Sequence, residues 1–199
     1  MKLLEERILR DGRILPGNIL KVDKFLNHQI DPELFMEMGK DYYEHFKGQG
    51  INKILTLEVS GIAVAFAAAT YFKCPVVFAK KSQSLTLADD VYSSKVISYT
   101  KKKEYDIKVD KNFLTKDDKV LIIDDFLATG QALHGLVGLC DQAGAEVKGI
   151  GIAIEKSFQD GGKKFREMGY DVYSQAMIEE FTEDSIKFSI STLEISEDE

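Results

Sequence analysis

The segment Lys119–Cys140, KVLIIDDFLATGQALHGLVGLC, constrains the fold more than any other part of the chain. Its first half is a continuous, β-branched apolar run, the pattern of a strand buried on both faces rather than of a half-exposed hairpin. The run stops on two adjacent carboxylates, Asp124 and Asp125, and a turn of small residues follows. Leu133, Leu136, Val137 and Cys140 then recur at i, i+3, i+4 and i+7, which predicts a helix from about Thr129. Strand, acidic turn and helix in that order put polar groups at the carboxyl edge of a parallel sheet, where ligands of such folds bind.

The rest of the chain agrees with that architecture. From Ile51 onward, strand-like runs (INKILTL, CPVVFAK, KVLIID, VKGIGIAIEK) alternate with helical ones such as GIAVAFAAATYF. This predicts an α/β fold with a central parallel sheet flanked by helices, VLIID and GIGIAIE being the central strands. Asp31 and Pro32 read as an N-cap and first-turn proline, and Leu34, Met38, Tyr42 and Phe46 follow at helical spacing. The polar stretch Ser82 to Lys103 lacks sustained periodicity and reads as a mobile loop, and the acidic residues 190–199 as a solvated tail. With 199 residues and 44% hydrophobic content, one domain is expected.

The turn carries the chemistry. Small residues at Ala128, Thr129, Gly130 and Ala132 let backbone N–H groups approach an anion at a positive helix terminus, with the Thr129 hydroxyl as a further donor. That is a monophosphate cradle. Phosphate would repel the neighbouring Asp124 and Asp125, so these face vicinal sugar hydroxyls or a divalent cation. Asp pairs at strand ends also occur in response-regulator receivers and nucleoside triphosphatases, but no GKS or GKT turn is present and Ala-Thr-Gly follows the acids directly.

IIDDFLATG resembles the ribose-phosphate signature of the type I phosphoribosyltransferases. The resemblance extends over most of the chain, through RDGRILPGNILKVDKFLNHQID, LEVSGI, VVFAKK, AGAEVKGIGIAIEKSFQ and GYDVYS. It implies that 5-phosphoribosyl 1-pyrophosphate is held by Ala128, Thr129, Gly130, Gln131 and Ala132, with Glu58, Ser60, Gly61 and Lys80 toward the pyrophosphate. Val59 departs from the pattern, standing where a smaller residue is expected. Lys81 joins Asp124 and Asp125 as the implied catalytic set, and the loop Ser82 to Lys103 would close over the reacting centre. Catalysis would rest on positioning and electrostatics as pyrophosphate leaves. Magnesium is implied as the cofactor, carried mainly by substrate oxygens with no dedicated protein site.

The strand ending GIGIAIEKSF places Glu155, Lys156, Ser157 and Phe158 at the same sheet edge. Lys156 can donate to a purine carbonyl and would meet the amino group of adenine donor to donor, while Phe158 can stack on a ring. A solvated lysine, with Phe158 capping the core, accounts equally well for these residues alone. The resemblance implies a hood formed by residues 1–35, with Leu20 and Asn27 joining Lys156 and Phe158 at the base. It implies xanthine as the acceptor, guanine or hypoxanthine as alternatives, and a homodimer. A purine-responsive regulator built on the same domain is a less favoured reading, since few residues precede Ile51 and a formal net charge of -7 opposes a nucleic-acid surface. A non-catalytic sugar-phosphate binding module is a third.

His28, His45 and His134 read as surface or packing residues, and no Ser-His-Asp or Cys-His arrangement stands out. Cys74 and Cys140 read as reduced core residues, since their spacing matches no zinc or redox pair. The mixed-charge start KLLEERILRDGR and the absence of a long apolar run predict a cytoplasmic protein with no membrane partner.

Overall fold

The computed structural model describes residues 1–17, 19–81, 90–98, 103–181 and 185–189. The chain starts with α1 (Lys2–Asp11), a hairpin of β1 (Arg13–Leu15) and β2 (Ile19–Lys21), a wide helical turn over Asp23–Asn27, and α2 (Pro32–Phe46). The core then runs β3 (Lys53–Leu57), α3 (Gly61–Phe72), β4 (Val76–Lys81), β5 (Val91–Ser98) and β6 (Lys103–Asp110). It finishes with β7 (Lys119–Leu127), α4 (Gln131–Ala143), β8 (Glu146–Lys156), α5 (Gly161–Glu167), β9 (Val172–Phe181) and β10 (Ile186–Phe188).

Eight strands form one sheet in the order β10-β9-β8-β7-β3-β4-β6-β5. The pairings from β9 through β4 are parallel, as the apolar runs predict, and β10, β6 and β5 add antiparallel edges. Val120, Leu121, Ile122 and Ile123 of β7 are wholly buried, because side chains alternate between two covered faces. On one face α2 and α3 pack Met38, Tyr42, Phe46 and Val64 against Ile54, Leu121 and Ile123. On the other, α4 packs Leu133, Leu136 and Cys140 against Leu55, Ile122 and Ile150.

Two expectations need correction. The stretch from Ser82 to Lys103 is not one loop: Val91–Ser98 is a strand paired along its length with Lys103–Asp110, while 82–89 and 99–102 lie outside the described residues. Tyr105, Ile107 and Val109 alternate with polar neighbours, so the hairpin does carry a period-two signal, masked by the surrounding lysines. Cys74 is half-buried rather than in the core, whereas Cys140 is fully buried; both are free thiols. The acidic tail 190–199 also lies outside the described residues. Among the described residues no helix is long and apolar enough to cross a membrane.

The amino-terminal elements are fastened by one ionic junction. Arg7 of α1 reaches Asp11 at 2.7 Å and Asp31 at 2.7 Å, and its guanidinium lies 5.4 Å from the Phe25 ring centroid. Asp31 is also the N-cap of α2, its Oδ1 accepting from the Leu34 N–H at 3.2 Å ahead of Pro32. One carboxylate therefore caps a helix and ties α1 to it. Asp31→Ala is expected to lower stability by about 1–2 kcal/mol in urea unfolding, and Asp31→Asn, which keeps the cap but not the charge, by less.

Candidate active site

The sheet order changes direction between β3 and β7. From β3 the chain moves through α3 to β4 on one side, and from β7 through α4 to β8 and β9 on the other. Loops after these two strands therefore diverge and leave a crevice at their carboxyl ends, the usual ligand site of open α/β sheets. The turn after β3 is Glu58–Ser60 and the turn after β7 is Ala128–Gly130, so the segments read as anion-binding loops face the same crevice.

Asp124 and Asp125 stand at its centre. Asp124 is 5% exposed, and the Asp125 N–H donates to its Oδ1 at 3.0 Å. Burial pushes the Asp124 carboxyl well above the usual carboxylate range; the adjacent Asp125 charge adds to the rise and Lys81 opposes it. Burial also raises Asp125, opposed by hydrogen bonds to its carboxylate that include one from the Asn27 side chain. Asn27, expected at the base, thus lies beside the acidic pair.

Ala128 to Ala132, expected as the cradle, span the turn after β7 and the start of α4. Gly130 adopts φ +83°, a conformation suited to glycine, and a side chain there would press on the Phe165 ring at 3.0 Å. The Ala128 carbonyl accepts from the Gly161 N–H at 3.1 Å, fixing the turn against the start of α5. The helix begins at Gln131, two residues later than its apolar periodicity suggests, and no side chain caps it. Its first-turn amides therefore have no partner within the helix or from a capping side chain. They border a cavity of about 180 Å³ lined by Val96, Ile97, Tyr105, Phe126 and residues 127–133. A hollow of about 640 Å³ between α1 and α2 is larger, but its Arg7 and Asp31 pair with each other and it shares no residue with the strand ends.

The turn after β3 is held against the acidic pair. A Cβ on Gly61 would collide with the buried Thr56 hydroxyl and come within 3.3 Å of Asp124 Oδ1, so glycine is required by space. Ser60 precedes α3 without spending its hydroxyl on a cap, and Val59 is 75% exposed. Glu58 Oε1 accepts from the Lys81 N–H at 2.6 Å, bracing the end of β4. Lys80 and Lys81 point to opposite faces: Lys80 Nζ lies 6.0 Å from the Phe78 ring and Lys81 Nζ 5.4 Å from the Tyr105 ring.

At the end of β8, Glu155 is buried and accepts from Arg166 at 2.8 and 2.7 Å and from the Ser174 hydroxyl, which anchors the strand end. Lys156 is half-buried, its Nζ 5.9 Å from the Phe126 ring centroid, and burial pushes its ammonium below the usual lysine pKa. Phe158 is 40% exposed and so does not cap the core. Leu20 is 6% exposed and packs in the cluster that Phe126 joins. His45 pairs with Asp171 at 3.1 Å and stacks on Tyr173, and His134 packs on Phe165. Among the described residues no group of three or more His, Cys, Asp or Glu side chains is arranged for a metal. The crowded pair Asp124 and Asp125 is the donor set that a cation shared with a ligand would relieve.

Residues 22–184 match the phosphoribosyl transferase domain family. The chain belongs to that family. This phosphoribosyltransferase is 56% identical over 188 residues to a xanthine phosphoribosyltransferase of Finegoldia magna, covering 94% of this chain and 99% of the relative. It is 57% identical to one from Ligilactobacillus salivarius, covering 94% and 98%, and 58% identical to one from Bifidobacterium adolescentis, covering 90% and 93%. The APRTase of Giardia lamblia complexed with 9-deazaadenine superposes with a TM-score of 0.74 at 22% identity, over 90% of this chain and 98% of that one. Adenine phosphoribosyltransferase from Rhodothermus marinus superposes at 0.73 and 22%, over 89% and 99%. The phosphoribosyltransferase fold is shared with both.

Residues that sequence reading did not single out include Thr56, hidden in the apolar run KILTL, and the cavity walls Val96, Tyr105 and Phe126. The charge state of the acidic pair has a measurable consequence. A carboxyl whose pKa is raised by folding favours the fold only at low pH, and that contribution is lost as pH rises through the raised value. Asp124→Asn, which keeps the acceptor but not the charge, is expected to raise the melting temperature of the ligand-free protein at neutral pH. The gain should shrink as pH falls toward about 4, and nucleotide formation should be lost. Thermal unfolding across pH reads both trends.

Proposed function

We propose that this phosphoribosyltransferase transfers the 5-phosphoribosyl group from 5-phosphoribosyl 1-pyrophosphate to xanthine, forming xanthosine 5'-monophosphate and pyrophosphate. The observation that carries this reading is the convergence of Asp124, Asp125 and the uncapped start of α4 on one crevice, in a chain 56% identical to a xanthine phosphoribosyltransferase along 99% of that relative.

Ala128, Thr129, Gly130, Gln131 and Ala132 take the 5-phosphate through first-turn amides and the Thr129 hydroxyl. Asp124 and Asp125 accept from the ribose hydroxyls, which orients the anomeric carbon and places negative charge near the positive charge that develops there. Glu58, Ser60, Gly61, Lys80 and Lys81 form the pyrophosphate side, and Lys81 neutralises the leaving group. Magnesium, held mainly by substrate oxygens with Asp124 and Asp125 nearby, supplies positive charge to the departing pyrophosphate when bound. No covalent nucleophile on the protein is required.

Base choice is assigned to Lys156, Asn27, Leu20 and Phe158. The Lys156 ammonium is held in a partly apolar setting, so a purine carbonyl would relieve its burial whereas the adenine amino group would not. An amide carries two N–H donors and a carbonyl acceptor, so Asn27 can hold Asp125 and still meet a base edge with both donors and acceptors. Phe158 offers a ring face at the same strand end. Free thiols at Cys74 and Cys140 agree with a reducing, cytoplasmic setting.

We further propose a homodimer formed through α3. This helix, GIAVAFAAATYF, is apolar around its circumference, yet Phe66 is 65% exposed. Ile62 shares the face of Phe66, and Phe78, 39% exposed, points to the same side of the sheet as Val76, which packs in the α3 cluster. A helix apolar all round is one covered on all sides, and a second copy of the chain supplies the cover.

With magnesium and 5-phosphoribosyl 1-pyrophosphate, nucleotide should form fastest from xanthine when each purine is offered separately; preference for guanine, hypoxanthine or adenine would refute the assignment. Lys156→Ala should lower kcat/KM for xanthine by about 10- to 100-fold, the value of a hydrogen bond from a charged group. Light scattering should give a dimer mass for the wild type and a monomer for Phe66→Glu.

A further inference from the structure

We propose that Tyr105 is a positioning residue for this reaction, its ring holding the Lys81 ammonium beside the reacting centre while walling the phosphate cradle. The inference rests on the reading of the site given above and adds a residue that no sequence motif marks. Tyr105 lies on β6, where Lys81 of β4 is in register with Ile107. Side chains two apart on a strand share a face, so Tyr105 is the diagonal neighbour of Lys81. The distance agrees: Lys81 Nζ sits 5.4 Å from the Tyr105 ring centroid, within cation–π range. The same ring lines the cavity bounded by Ala128, Thr129, Gly130 and Gln131.

Asp124 links the two side chains electrically. Its charge adds to the burial that raises the Tyr105 phenol, and the Lys81 charge draws the Asp124 carboxyl down against its own burial. Lysine, phenol and carboxylate thus occupy one electrostatic neighbourhood beside the cradle. A lysine stem has four rotatable bonds, and fixing it costs side-chain entropy. An aromatic face that receives the ammonium before substrate arrives takes much of that ordering out of the step in which pyrophosphate leaves. The ring, not the hydroxyl, is the working part.

A double-mutant cycle separates this from simple packing, since the ring of Tyr105 also touches the α4-side core. Tyr105→Leu should lower kcat about tenfold with little change in the KM for xanthine, and Tyr105→Phe should retain at least about half of wild-type kcat. In a Lys81→Ala background, Tyr105→Leu should have no further effect on kcat. An equal loss from Tyr105→Leu with or without Lys81, or a Tyr105→Phe as impaired as Tyr105→Leu, would overturn the proposal. If Tyr105→Leu does not fold, as judged by thermal unfolding, Tyr105→Met gives the same cycle with a flexible side chain that adapts to the gap. A wild type that forms no nucleotide sinks the reading of the site; an active wild type without coupling sinks only the role of Tyr105.

Discussion

Two carboxylates on adjacent residues at the end of a buried strand repel one another, and much of the crevice is built around that repulsion. Asp124 is buried and its carboxyl is pushed up, a cost that only nearby donors or positive charge can offset. The structure supplies the Asp125 N–H to Asp124, the Asn27 side chain to Asp125, and the charge of Lys81. These come from the acidic turn itself, the hood and the end of β4. A pair that is uncomfortable without ligand and satisfied by ribose hydroxyls or a shared cation is suited to a site that must bind tightly and release.

The layers around the sheet exist to hold that edge in place. Val120 to Ile123 of β7 are apolar because helices cover both faces of the strand, and it turns acidic at Asp124 and Asp125, near its carboxyl end at Leu127. The change of direction between β3 and β7 then opens a gap, and the turns after both strands fall into it. Close contacts set the spacing. Gly61 lets the turn after β3 approach Thr56 and Asp124, and Gly130 lets the cradle lie on Phe165. Farther along the edge, Glu155 is consumed by Arg166 and Ser174, so Lys156, next in sequence, is presented from a rigid strand end.

The adenine phosphoribosyltransferase structures share the fold at 22% identity, whereas the xanthine phosphoribosyltransferase relatives are 56–58% identical over 90–94% of the chain. At 22% identity the superposition reports the fold. Discrimination between purines depends instead on whether a donor or an acceptor faces the six-membered ring, and Lys156 can only donate. In the proposed site that donor stands on a strand end, outside the packed layers beneath it.

Local pattern determined what depends on near neighbours in the chain: the buried strands β7 and β8, the Asp31 cap with Pro32, and the helix carrying Leu133 to Cys140. Each is set by side-chain periodicity or by steric and hydrogen-bond preferences within a few residues, so each is legible in one dimension. The β5–β6 hairpin was obscured because Ser93, Ser94 and Lys95 of β5 and Glu104, Asp106 and Lys108 of β6 make the stretch read as polar, although Tyr105, Ile107 and Val109 alternate along one face. Tertiary structure alone decided that Asn27 lies beside Asp125, that Lys81 lies over Tyr105, and that a Gly61 side chain would crowd Asp124. These contacts join segments far apart in sequence, and their geometry follows from strand order and register, which no local pattern encodes.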